Sequence, residues 1–119
     1  MRIAITSLGT GLESEVDPRF GRGKWFIVYD TENDSFEAKS NDQNINLPQG
    51  AGIQAAQNVA ETGAEVLLTG HCGPKAFDTL SAAGIKVAVG VSGLVKDAVE
   101  KFKAGQIQAT DSPDVEGHW

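Results

Sequence analysis

Residues able to do chemistry gather in two short stretches of this chain. One is Gly70-His71-Cys72-Gly73-Pro74-Lys75, which follows the apolar run Val66-Leu67-Leu68-Thr69 and holds the sole cysteine and one of two histidines. The other is Asp17-Pro18-Arg19-Phe20-Gly21-Arg22, in which two arginines flank an aromatic and a glycine. A thiol at a helix start has a depressed pKa, and thiolates suit copper and iron–sulfur centres. An imidazole ligates metal or donates a hydrogen bond, and weakly hydrated guanidinium groups suit a large anion. Each residue also has a plainer reading. Free cysteine is among the most buried residue types, one histidine beside one cysteine cannot fill a coordination sphere, and Arg19 and Arg22 can pair with Glu13, Glu15 or Asp17 for little gain.

Composition limits the partners. The 119 residues suffice for one domain with one core. A formal net charge of −6 leaves no basic excess for nucleic acid or an anionic membrane, so any anion site must be local. A single cysteine cannot form an internal disulfide, the chain enters directly into Arg2-Ile3-Ala4-Ile5, and no run approaches a membrane span. The expectation is a cytoplasmic protein with neither a nucleic-acid nor a membrane partner.

The elements that must position these residues follow from periodicity. Arg2 to Thr6 is an apolar run without alternation, suited to a central strand. A glycine-rich loop, 7–23, carries the arginines, and loops of this length in compact domains tend to be functional or disordered. Trp25 to Tyr29 and the alternating Phe36 to Lys39 form an antiparallel hairpin around Asn33-Asp34. Ile53, Ala56 and Ala60 then mark a helix that stops at Gly63; Phe77, Leu80 and Ala83 mark one that stops at Gly84; Leu94, Val95, Ala98, Val99 and Phe102 mark one that ends by Gly105. Glu65 to Thr69 and Ile85 to Val89 are strands between them. On the last helix Asp97 and Lys101 stand four apart and are expected to pair.

The order β-β-β-α-β-α-β-α implies a single α/β domain with a five-stranded mixed sheet in which only the second strand runs against the rest. Residues 1–105 make up this domain, and 106–119 read as a polar, mobile tail. Four strands then end at one edge, where the long loop and three helix N-termini gather. Helix dipole ends together with Arg19 and Arg22 would give an acidic protein a locally cationic pocket. Glycines recur at those junctions, Gly50 and Gly52, Gly70 and Gly73, Gly90 and Gly93, either as ordinary turn residues or to let a ligand approach the backbone. The candidate lining is Arg19, Phe20, Gly21, Arg22, Gly50, Ala51, Gly52, Gly70, His71, Cys72, Gly73, Gly90, Val91, Ser92 and Gly93.

Gly50-Ala51-Gly52-Ile53-Gln54-Ala55-Ala56, the stretch Gly70 to Phe77, Ala83-Gly84-Ile85-Lys86-Val87 and Asp17 to Arg22 together resemble the dinitrogenase iron–molybdenum-cofactor-binding family. The likeness covers the chain to about Gly105, and the ending Val115-Glu116-Gly117-His118-Trp119 is similar to the family's stand-alone branch in sulfate-reducing bacteria. The resemblance implies an RNase H-like fold and a non-enzymatic carrier of metal–sulfur clusters. In that branch it implies an anionic molybdenum–copper sulfide cluster held without covalent attachment, with an iron–molybdenum–sulfur cluster or its precursor as the alternative. A protein donor or acceptor of the cluster would be the partner. On this reading Phe20 covers an apolar cluster face, and Cys72 and His71 are the candidate metal ligands.

Enzyme readings find less support. A two-metal nuclease needs carboxylates on its strands, and Ile3-Ala4-Ile5-Thr6 carries none. A thiol hydrolase using Cys72 is more attractive, yet position 78, where a cysteine phosphatase has its arginine, is Asp78. Gly70 to Lys75 lacks the Walker spacing, and Gly9-Thr10-Gly11 fails the dinucleotide pattern. A regulatory adaptor acting through a partner surface remains the other alternative.

Overall fold

Alternation along the strands sorts the core into two layers. In a computed structural model, which describes residues 1–41 and 51–110, the elements are β1 (Arg2–Ser7), β2 (Trp25–Asp30), β3 (Ser35–Ser40), α1 (Ala51–Glu61), β4 (Val66–Leu68), α2 (Pro74–Ala82), β5 (Lys86–Ala88) and α3 (Val95–Lys103). Ile3, Ile5, Ile27, Tyr29, Val66, Leu68 and Ala88 point to one face and pack with Val95, Ala98 and Val99 of α3. Their neighbours Ala4, Phe26, Leu67 and Val87 point to the other face and meet Ala55, Ala56 and Val59 of α1 and Ala76, Phe77 and Leu80 of α2. Because both faces of β1 and β4 are covered, Ile3 to Ile5 and Val66 to Leu68 are apolar without alternation, as suits buried strands.

The strand order is β3-β2-β1-β4-β5. β2 is antiparallel to β1 and β3, while β1, β4 and β5 are mutually parallel. This is the five-stranded mixed α/β sheet expected from the element order, in the RNase H-like arrangement implied by the resemblance. No helix among the described residues is long and apolar enough to cross a membrane.

Two details differ from expectation. The charges on α3 pair through Lys103, which lies 3.6 Å from Glu100 and 3.5 Å from Asp34, whereas no ion pair joins Asp97 to Lys101. Asp34, in a left-handed turn conformation, draws Lys103 across because it also accepts the Tyr29 hydroxyl at 2.7 Å. That hydrogen bond, with burial and the nearby carboxylates, pushes the Tyr29 phenol up to about 12, and the same bond with Lys103 lowers the Asp34 carboxyl. Part of the stretch expected as tail also makes contacts with the core. Ile107 packs against the α3-side core and the Thr110 N–H donates to the Val87 carbonyl at 2.7 Å, so 106–110 are tied to the domain. Gly50, His118 and Trp119 lie outside the described residues.

Candidate functional site

The strand ends that open the site carry threonines where the apolar runs stop. The Thr6 hydroxyl, on β1, donates to the Asp17 carbonyl at 2.7 Å and lies 2.9 Å from the Thr69 hydroxyl just beyond β4. All three residues are buried, and the Asp17 N–H donates back to the Thr6 carbonyl at 2.9 Å. The returning arm of the long loop is thereby laid over the ends of the two central strands.

From there the arm runs beside the turn that follows β4. The His71 N–H donates to the Pro18 carbonyl at 2.8 Å and the Phe20 N–H to the His71 carbonyl at 3.2 Å, a short parallel bridge between Arg19 and His71. Such contact requires Gly70. A Cβ there would stand 2.6 Å from the Pro18 Cα and 2.7 Å from its carbonyl oxygen. The space above Gly70 is thus filled by this chain's own backbone at Pro18. Gly21, at φ +100°, sits equally tightly on the first turn of α1, where a Cβ would come within 3.0 Å of the Gly52 Cα. Gly52 in turn faces Ala76, its own absent Cβ lying 3.2 Å from that methyl, so it serves helix packing.

The bridge joins Arg19 to His71, two residues before the α2 N-cap, and Gly21, next to Arg22, abuts the first turn of α1. Arg19 is exposed, with its Nε 3.7 Å from the Asp17 carboxylate, while Arg22 and His71 are half-buried. Glu13 pairs elsewhere, with Lys96 at 3.4 Å. α2 begins with Gly73 at the N-cap and Pro74 in the first turn, and no side chain caps it. This leaves the α2 dipole end unscreened by a capping side chain, a setting that favours an anion.

Two of the candidate residues, Cys72 and Phe20, are fully buried. Cys72 has no solvent exposure and lies in the apolar layer with Phe20, Phe26 and Phe77, its Sγ 3.7 Å from the Gly73 carbonyl. An enclosed thiol of this kind packs as a small hydrophobe, the plainer of the two readings of Cys72. Phe20 is 1% exposed, its ring 5.9 Å from that of Phe26, so it packs within the same apolar layer. Among the described residues no three His, Cys, Asp or Glu side chains come together as a ligand set.

The turn after β5 is engaged by hydrogen bonds within the chain. Gly90 and Val91 donate their N–H groups to the carbonyls of Gly70 and Thr69 at 2.8 and 3.1 Å. The first turn of α3 is plugged as well, with Val95 N–H on the Ser14 carbonyl and Lys96 N–H on the Leu12 carbonyl, both 2.8 Å. Gly93 accepts from Val16 N–H at 2.8 Å. The amides of Gly90 and Val91 are thus taken by the end of β4 and its turn and those of Val95 and Lys96 by the loop, which leaves the starts of α1 and α2 as the candidate helix ends.

Sequence reasoning missed the buried polar residues. Thr6, Asp17, Asn41 and Thr69 are each at most 1% exposed. Asn41 reaches from the end of β3 to the Gly23 carbonyl at 2.8 Å and the Gly21 carbonyl at 3.4 Å. The available signal was a hydroxyl residue closing each of two apolar runs, which marks a strand end whose side chain must find an internal partner.

Comparisons with known proteins agree with this fold. The chain is similar to the apo form of the orange protein from Desulfovibrio gigas, 49% identical with 96% of each chain covered and a TM-score of 0.94. A Thermotoga protein solved by NMR is 36% identical, covering 96% of this chain and 98% of that one at a TM-score of 0.80. An uncharacterized protein of Methanocaldococcus jannaschii is 25% identical over 97 residues, 80% of this chain and 82% of its own length. The sequence model of the dinitrogenase iron-molybdenum cofactor family matches residues 1–105, and the chain belongs to that family.

Proposed function

We propose that this protein is a non-enzymatic carrier of an anionic, molybdenum-containing metal–sulfur cluster, a molybdenum–copper sulfide in the first instance, held non-covalently at the rim of Arg19, Arg22, His71 and the starts of α1 and α2. The observation that carries the reading is the parallel bridge between Arg19 and His71, because it brings the arginine arm of the loop beside the α2 end in a protein of net charge −6. Family membership and the 49% identity to the orange protein support a cofactor carrier. Such a cargo brings its own sulfide ligands, so the protein needs charge complementarity and hydrogen-bond donors instead of a complete ligand set. Burial of Cys72 weighs against the thiol-hydrolase alternative. Residues 1–105 form the carrying unit, and a cytoplasmic setting suits a chain whose single cysteine cannot form an internal disulfide.

The test is reconstitution of the purified protein with tetrathiomolybdate and copper(I), followed by desalting, metal and sulfide analysis and a visible spectrum. Stoichiometric molybdenum with a charge-transfer band is the expected outcome. Arg19→Glu combined with Arg22→Glu should release the cluster at least about a hundredfold faster with the fold intact, since each charge-assisted contact is worth roughly 1.5–3 kcal/mol. Unchanged retention in that variant would sink the electrostatic account.

A further inference from the structure

A buried carboxylate directly beneath a cationic rim calls for an explanation. The Asp17 side chain is 2% exposed. Taking a carboxylate out of water is costly unless it is hydrogen-bonded. Its Oδ1 accepts the Arg19 N–H at 3.0 Å, two residues on, which bends the backbone at Pro18. Its Oδ2 occupies the space that a side chain on Gly23 would need, 3.1 Å from where that Cβ would stand. Its own backbone is clamped on both sides, N–H to the Thr6 carbonyl and carbonyl to the Thr6 hydroxyl.

The bend aims the loop. Only with Pro18 turned this way does its carbonyl meet the His71 N–H at 2.8 Å and return Phe20 N–H to the His71 carbonyl at 3.2 Å. We infer that Asp17 is the positioning residue of the site: its carboxylate fixes the 17–19 turn that docks the arginine arm against the His71 turn, so that Arg19 is set before any cluster arrives. The inference rests on the carrier reading for what the arm holds. Its geometric content, that Oδ1 sets the loop, stands apart from that reading. The Arg19 Nε, 3.7 Å from the same Oδ1, is too far for a hydrogen bond and is free to exchange this loose ion pair for a bound anion.

Acceptor geometry and charge are separated by two substitutions. Asp17→Ala removes both; Asp17→Asn keeps the Oδ1 acceptor and removes the charge. In the full chain without ligand, amide hydrogen exchange at Phe20 and His71 should rise at least about tenfold in Asp17→Ala, the scale of one lost hydrogen bond to a charged group, with Leu67 and Val87 unchanged. Asp17→Asn should recover most of the protection. Where Asp17→Ala does not fold, Asp17→Ser replaces it. Its hydroxyl makes the same turn more weakly, so protection below that of Asp17→Asn is expected. The proposal is overturned if the alanine variant exchanges like the wild type, if core amides accelerate equally, or if the alanine and asparagine variants, or the serine and asparagine variants, are alike. Loading with tetrathiomolybdate and copper(I) gives a second reading, with release expected to be faster in the alanine than in the asparagine variant. A wild type that does not load would defeat the carrier reading alone, since the exchange experiment needs no cluster.

Discussion

Two junctions of this protein look alike in sequence and have opposite uses. After β4 and after β5 an apolar strand runs into a glycine, a short turn and a helix whose first turn lacks a side-chain cap. At the first, the neighbouring loop lies alongside, pairing with His71, and adds Arg19 to the rim. At the second, the same loop turns its carbonyls inward, and those of Leu12 and Ser14 occupy the helix amides. A helix N-terminus is an anion site only while its donors stay unclaimed. Here one long loop decides both cases, its outgoing arm occupying the α3 amides and its returning arm lying along the His71 turn.

The sharpest way to break the comparison is at the glycines. Gly70→Ala drives a methyl into the backbone of Pro18, 2.6 Å away, and should cost about 3 kcal/mol, the upper range for overpacking, together with loss of cluster retention. Gly90→Ala meets nothing within 4 Å and bears only the strain of φ +73°, about 1 kcal/mol, with retention kept. Urea unfolding midpoints and desalting of loaded protein check both, and equal costs would mean that the two junctions are equivalent after all.

A smaller effect belongs to the α3 layer, which on this account braces the fold and takes no part in binding. Tyr29 has its phenol raised from 10 to about 12 in the folded state, chiefly by its hydrogen bond to Asp34. Its contribution to stability is complete below pH 10 and is lost as pH rises through 12. The stability gap between wild type and Tyr29→Phe should therefore narrow over that interval, as followed by denaturant midpoints. A gap independent of pH would remove the hydrogen bond from the account. Asp34 acts at the other end: its carboxyl is lowered, so its contribution is present above the unfolded value near 3.9 and fades as pH falls through the folded one.

Element order, the antiparallel second strand and the assignment of apolar residues to strands and helices were legible in the chain, because each rests on a local period of two or of 3.6. Arg19 and Arg22 stood out by charge within a glycine-rich loop. The burial of Phe20 did not, since an aromatic in a glycine-rich loop reads as exposed until neighbouring elements close over it, whereas burial was one of the two readings open for Cys72. The pairing of Asp97 with Lys101 failed for a related reason. Helical spacing permits the pair, but a tertiary partner at Asp34 and a nearer one at Glu100 organise the charges around Lys103.

The sequence by itself determined the layered α/β sheet, the edge at which its loops gather and the sign of the charges there, since these follow from periodicity, chain direction and composition. Tertiary structure alone decided which helix end stays open, which glycine admits backbone instead of ligand, and that Asp17, Thr6 and Thr69 hold the loop. Those outcomes depend on hydrogen bonds between residues as far apart as Thr6 and Thr69, and no local pattern encodes a contact whose partner is chosen by the packing of the whole sheet.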